Sequence, residues 1–440
     1  MKYEKIKSAI LIFLVLFSII LTWNLWTYQP NFETMQNSKY VAEVSLSEQK
    51  ELKKIVKPDR ILFHVKGKHY GSENSSEMDR LLREMSRWEF TDVKNYTDKA
   101  GNIKGFTQRS GTMEIIFPGR VPIEIYRNIL TFEQKRLPAF NFDRIIINME
   151  NPDKANGTVY FVSSETQQVY SSHVAPSYFN DLNRNFYKNA LNYPSYFAYN
   201  VTEKRTIFLP EKETQMMAYK YLPVTLNSEK FKEALFSDPS IVRKNILNDG
   251  EEYTDGSSKM NIDYNNNMLL YVNPTEDNEY MGNSYELMKR SIDFVNEHGG
   301  WTDLYRYVSM DEMNQKVTFR LYSSEGYPVF NERGMSEITE VWGRNEINKY
   351  VRPNIALELP IVSETVMVTR ASGHDVLSFL QKRKNFKPSL LGDMVLGYKM
   401  KRDEDESRLI LLEPTWYYRY NKTWGEITME DLGGLKRGLE

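Results

Sequence analysis

Between Ser8 and Phe32 the chain carries no charged side chain, and its strongly apolar part runs from Ser8 to Trp26, 19 residues. A helix of that length covers roughly 28 Å, close to the hydrocarbon thickness of a bilayer. A secretory signal has a shorter apolar region, of about 7 to 15 residues, closed by a small-x-small cleavage site. Here the run closes instead on Trp23, Trp26 and Tyr28, followed by Pro30. Rings at that point suit an interfacial aromatic belt. The chain has no cysteine, which excludes a lipoprotein signal. Residues 8–28 are therefore read as a retained, single transmembrane helix.

Charge sets its orientation. Lys2, Lys5 and Lys7 against Glu4 make residues 1–7 a cytoplasmic leader of net charge +2. Everything after about Pro30 is then extracytoplasmic. Ser18, Thr22, Leu25 and Gln29 fall at i, i+4, i+7 and i+11, along one helical face. Small and hydroxyl side chains on one face let a second membrane helix approach closely and share hydrogen bonds. The plainer reading is a tether, since no GxxxG is present and Asn24 lies off the stripe.

The overall charge is −2, so removing the +2 leader leaves −4 for residues 8–440. A nearly neutral exterior gives no reason to expect nucleic acid as a partner. Hydrophobic content of 41% and 13% aromatic residues specify a folded chain with real cores. Without cysteine an exported chain has no disulfide framework, and thiol catalysis and thiolate metal sites are excluded.

Beyond a polar stalk at 31–40, the pattern predicts three units. The first, 38–140, is α+β. "SLSEQKELKKIVKP" reads as a helix with a Ser45–Glu48 capping box, and "RILFHVKGKHYG" as a strand turning at Gly67. "SSEMDRLLREMSRW" places Met78, Leu81, Leu82, Met85 and Trp88 on one helical face. "GTMEIIFPGRVPIEIYRNIL" gives two β-like runs split at Pro118-Gly119. A β-rich second unit, 141–265, holds one helix in "SYFNDLNRNFYKNAL" and ends in a turn-rich polar run, 247–267, read as a tip or boundary. The third, 266–440, is α+β, with helices in "SYELMKRSIDFVNEHGG" and near Asp375 to Lys384. The fold class expected is α+β, mainly antiparallel sheets with flanking helices behind one transmembrane helix. Two twelve-residue segments, 159–170 and 319–330, share a strand–SSE–strand pattern, which fits either duplication or ordinary hairpin chemistry.

No motif points to catalysis. The five histidines, His64, His69, His173, His298 and His374, show no metal spacing, although His64 and His69 can meet across a hairpin. Ser47 to Lys50 fits S-x-x-K without its companion motifs, and the same residues make a good helix start. The acidic loop Asp249, Glu251, Glu252 and Asp255 lacks the alternating ligands of an EF-hand. No catalytic residue, metal site or cofactor is assigned.

"LTWNLWTYQP" at 21–30 resembles the anchor of the YycH (WalH) regulatory family, and "RILFHVKGKHYGS" is similar to that family as well. "NMLLYVNP" and "EGYPVF" are compatible with its C-terminal portion. The resemblance implies a membrane-anchored, extracytoplasmic, non-enzymatic accessory protein of Gram-positive bacteria. Such proteins act with their relative YycI (WalI) on the sensor histidine kinase WalK (YycG), whose response regulator WalR controls cell-wall metabolism. It also implies kinase contact through transmembrane helices, here the face of Ser18, Thr22, Leu25 and Gln29, and a YycI-like C-terminal domain. A homodimer stays open. The rival readings are an envelope hydrolase, which needs converging polar groups in a cleft, and a membrane-anchored envelope scaffold without kinase coupling.

Overall fold

A computed structural model describes Ser18 and residues 49–149, 157–276 and 282–428. Ser18 is helical and exposed; the rest of the leader and of the expected span at 8–28 lies outside the described residues. Among the described residues no helix is long and apolar enough to cross a membrane.

The amphipathic spacing read at 75–88 forms the helix Ser75–Met85, capped by the Asn74 side chain, which accepts from the Ser76 and Glu77 N–H groups. Met78, Leu81, Leu82 and Met85 are buried along one face, and Trp88 follows them into the same core. Burial of side chains this size contributes roughly 1.5–3 kcal/mol each. They pack on a ten-stranded sheet whose spatial order is Thr206–Pro210, Ser195–Asn200, Lys68–Ser72, Arg60–Val65, Thr112–Pro122, Asn141–Asn148, Thr158–Ser163, Gln168–His173, Glu89–Asn95 and Thr131–Phe132. Strand alternation divides its faces. Ile61, Phe63, Met113, Ile115, Ile145 and Ile147 point to the main core. Leu62 and Ile146 point the other way, into two small separate clusters.

An eight-stranded antiparallel sheet follows, ordered Arg243–Leu247, Gly250–Thr254, Lys259–Asp263, Met268–Val272, Ile347–Pro353, Glu337–Trp342, Lys316–Leu321 and Tyr305–Asp311. The helix Ser284–Glu297 covers it with Met288, Ile292 and Val295 buried as expected. The third sheet runs Val329–Phe330, Leu391–Arg402, Ile410–Tyr420, Thr214–Tyr221 and Val366–Arg370, with Thr423–Ile427 paired to Ile410–Tyr420. Pairing is antiparallel except at the short strands Val329–Phe330 and Thr131–Phe132. The α+β, mainly antiparallel fold is thus the one expected from the sequence.

The sheets lock together through backbone. Gly119 lies where a Cβ would stand 2.5 Å from the Val308 carbonyl oxygen, and Tyr307 Oη donates to the Arg120 carbonyl at 2.6 Å. The Ser75 N–H donates to the Glu325 carbonyl at 2.7 Å. Next to it Gly326 has φ +113°, and a Cβ there would stand 2.3 Å from the Glu73 carbonyl oxygen.

Several expectations are corrected. Of the helix read from Ser45, residues 45–48 lie outside the described residues, residues 49–51 are not helical, and the helix is confined to Leu52–Ile55. Just before it, the Lys50 backbone N–H donates to Asn296 Oδ1 at 3.0 Å, so tertiary contact overrides the local propensity. Thr112–Pro122 is one strand through Pro118-Gly119, with its register shifting between Ile116 and Val121, and "IEIY" is a helical turn. The polar run at 247–267 forms the second and third strands of the eight-stranded sheet, next to its edge strand Arg243–Leu247, with tight turns joining five-residue strands. Thr158–Ser163 and Gln168–His173 form a hairpin, whereas the strand after the second SSE, Val329–Phe330, leaves its neighbour's sheet. The two segments therefore share only local chemistry. Strands on either side of residue 140 pair with each other, as do those on either side of 265, so these divisions do not coincide with sheet boundaries.

Candidate functional site

Of the residues read as a partner face, Ser18 is described and helical; Thr22, Leu25 and Gln29 lie outside the described residues, as do the anchor residues Trp23, Trp26 and Tyr28. The geometry that the structure describes belongs to residues 49–428.

His64 and His69 do meet across their hairpin, with Nδ1 atoms 2.7 Å apart. His64 Nε2 lies 3.1 Å from Glu114 Oε2, and the other Glu114 oxygen accepts from Arg144 Nη1. Arg144 Nε continues to Ser164 Oγ at 2.8 Å. This polar spine occupies the sheet face that carries the two small apolar clusters. Burial pushes the Glu114 carboxyl up, but Arg144 and His64 overcome it and hold the group down at about 2. Burial, reinforced by His64, pushes the His69 imidazole down to about 4. Every member has a partner and His64 and Glu114 are fully buried, which makes the spine a structural network. The sequence announces the histidine pair through the hairpin register but gives no sign of Glu114 or Arg144, which come from distant strands.

The acidic loop is also internally satisfied. Glu251 Oε2 accepts from Ser228 Oγ and Tyr253 Oη, both at 2.7 Å, Glu252 pairs with Lys259 at 2.5 Å, and Asp255 accepts from the Ser257 and Ser258 N–H groups. Among the described residues no group of three or more His, Asp or Glu is arranged to hold a metal ion.

What stands unpartnered is an apolar strand edge. Val366–Arg370 pairs with the first half of Thr214–Tyr221 and has no second strand partner among the described residues. Val366 and Met367 on it are 58% and 60% exposed. A bridge between Tyr221 and Pro360 sets Leu222 beside Leu359, and the short 3-10 turn Val362–Glu364 leads into the edge strand. Leu359 and Val362 are 84% and 83% exposed. Polar groups rim this surface, including Lys220, which pairs with Asp403 at 2.8 Å and Glu364 at 3.4 Å. Apolar side chains beside free backbone donors and acceptors, inside a polar rim, make a surface suited to β-augmentation or protein docking. An edge of the eight-stranded sheet, Arg243–Leu247, also exposes Ile246 and Leu247, but Arg243 and Lys244 guard it. Sequence reading missed both edges, since "VMVT" is as apolar as a buried strand.

Three large sheets, one with an open apolar edge, and their flanking helices define a mainly antiparallel α+β protein. The family description "YycH protein, N-terminal domain" matches residues 4–190, and "YycH protein, C-terminal domain" matches residues 204–433. The chain belongs to the YycH family. It is 27% identical, over an alignment of 464 positions spanning all of both chains, to the "Two-component system WalR/WalK regulatory protein YycH" of Bacillus subtilis (strain 168). The crystal structure of YycH from Bacillus subtilis superposes with a TM-score of 0.73, at 24% identity, over 87% of this chain and 99% of that one. The latter likeness establishes a shared fold.

Proposed function

We propose that this chain is a membrane-anchored, non-enzymatic regulator of a WalR/WalK-type two-component system. The observation that carries the reading is the end-to-end similarity to the Bacillus subtilis regulatory protein. The N-terminal helix, 8–28, holds the protein in the membrane with its leader inside, and the face of Ser18, Thr22, Leu25 and Gln29 packs beside the kinase's helices. Outside, the apolar edge at Val366–Arg370 docks the YycI-like partner.

A regulator shifts a kinase only if it binds the two kinase states with different free energies. A coupling of about 1–3 kcal/mol changes the active-to-inactive ratio by roughly 5- to 150-fold. A few intramembrane contacts of about 0.6 kcal/mol each supply that.

Replacing residues 8–28 by an unrelated apolar span of equal length tests the reading. Association with the kinase and expression of a regulon reporter are expected to collapse while export continues. If both persist, the helix is a tether, and coupling resides in the outer sheets or is absent, as in the scaffold reading.

A further inference from the structure

A cavity of about 820 Å³ opens where the short helix Leu52–Ile55, the helix Ser75–Met85 and the start of the strand Tyr305–Asp311 converge. That volume lies within the range of small-molecule sites. Six cations line it, namely Lys50, Lys53, Lys54, Lys57, Arg83 and Arg306, against the two acids Glu51 and Asp79. Both acids are already engaged: Glu51 pairs with Lys53 at 2.5 Å, and Asp79 with Lys57 at 2.5 Å. Lys50 donates to the Asp303 carbonyl. Lys54 and Arg83 are exposed and make no ion pair among the described residues.

Arg306 is one of the buried lining residues. It is only 5% exposed, yet its guanidinium pairs with no carboxylate among the described residues. Nη2 donates to Ser75 Oγ at 2.8 Å, the group lies over the Tyr322 ring at 4.5 Å, and Nη1 has no hydrogen-bond partner. Asp59 is nearby, but burial pushes its carboxyl up to about 7, so near neutral pH it is only partly ionised beside Arg306. A buried, unmatched guanidinium N–H is a position where a ligand oxygen gains most. The surrounding charge has the same sense. Burial first, and then the repulsion of Arg306, push the Lys57 ammonium down to about 8, and burial brings Lys50 to about 8.

We propose that this cavity binds a phosphate-bearing ligand, with Arg306 and Lys57 at the floor and Lys54 and Arg83 at the mouth. A guanidinium fork flanked by ammonium groups matches the several oxygens and multiple charge of a phosphoryl group. Leu82, Ile129 and Leu304 also line the cavity and give an apolar wall for the organic portion. The phosphoryl group belongs either to a lipid headgroup or to a water-soluble phosphate. The site stands on its own geometry and does not depend on kinase regulation.

Full-length protein in neutral detergent micelles, titrated calorimetrically with inorganic pyrophosphate and separately with dioctanoyl phosphatidic acid, tests it. Saturable one-to-one binding is expected. It weakens at least tenfold in Arg306→Gln and in the double variant Lys54→Gln/Arg83→Gln, and is unchanged in Lys384→Gln, an exposed cation elsewhere. Binding of pyrophosphate alone identifies a soluble phosphate, and binding of phosphatidic acid alone a lipid headgroup. Absence of saturable binding of either probe overturns the proposal, as does equal affinity in the double variant. That variant alters only exposed side chains, so the test holds even if Arg306→Gln fails to fold.

Discussion

His64 and His69 face each other across one hairpin with their Nδ1 atoms 2.7 Å apart, too close for both rings to carry a proton there. One ring must donate and the other accept. The consequence is a defined pH response. His69 titrates at about 4 in the folded chain against 6.5 ordinarily, so between those values the unfolded chain binds more protons and stability falls with falling pH. The loss amounts to about 1–3 kcal/mol after allowance for partial exposure. His69→Gln is expected to flatten that part of the curve, measured by urea denaturation at pH 6.5, 5.5 and 4.5. An unchanged slope contradicts the assignment.

Glu340 gives the opposite slope. It is fully buried, one oxygen lies 3.3 Å from Trp342 Nε1, and the other has no partner. Burial pushes its carboxyl up to about 8. A raised folded-state value means stability is fully present below about 4.5 and lost as pH rises towards 8. Glu340→Gln removes the ionisation and is expected to stabilise the protein by about 1–3 kcal/mol at pH 7.5, with little gain at pH 4.5. Equal effects at the two pH values refute this origin.

Gly326 admits no side chain. Its left-handed backbone disfavours any L-residue, and the obstacle to a Cβ is the Glu73 backbone carbonyl, which no rotamer change can move. Gly326→Ala is expected to cost about 2 kcal/mol or more, read as a lowered denaturation midpoint. Gly101 also has positive φ, but a Cβ there meets nothing within 4 Å. Gly101→Ala therefore isolates the backbone share and is expected to cost less.

Met367 separates docking from folding. It is exposed on the open edge, so Met367→Lys is expected to leave stability within about 0.5 kcal/mol while weakening co-purification with the YycI-like partner. A charge on a strand edge is a known deterrent to further pairing. Unaltered association moves the docking surface elsewhere.

Helices were the legible part of this sequence. Met78, Leu81, Leu82 and Met85, or Met288, Ile292 and Val295, repeat at the helical period, and the cores they fill lie where that period places them. The strands at 243–263 were not legible, because five-residue strands joined by Asn, Asp and Gly turns have the composition of a loop. The candidate sites were hidden for a different reason. Arg306 and Ser75 are 231 positions apart, and nothing local distinguishes a buried arginine with one unmatched N–H from an arginine in solvent. Exposure of Val366 and Met367 is likewise a property of what fails to cover them. The anchor was read from charge, length and its closing aromatic rings, and all of it but Ser18 lies outside the described residues.

The strand Thr206–Pro210 belongs to the C-terminal family region, yet it hydrogen-bonds to Ser195–Asn200 at the end of the sheet built by the N-terminal one. A gene cut at the natural-looking seam near residue 200 would hand one half an unfinished sheet and the other an orphaned strand. The two regions are for that reason poor candidates for shuffling. Their lineage is expected to descend as a pair, each half keeping the other's sheet closed.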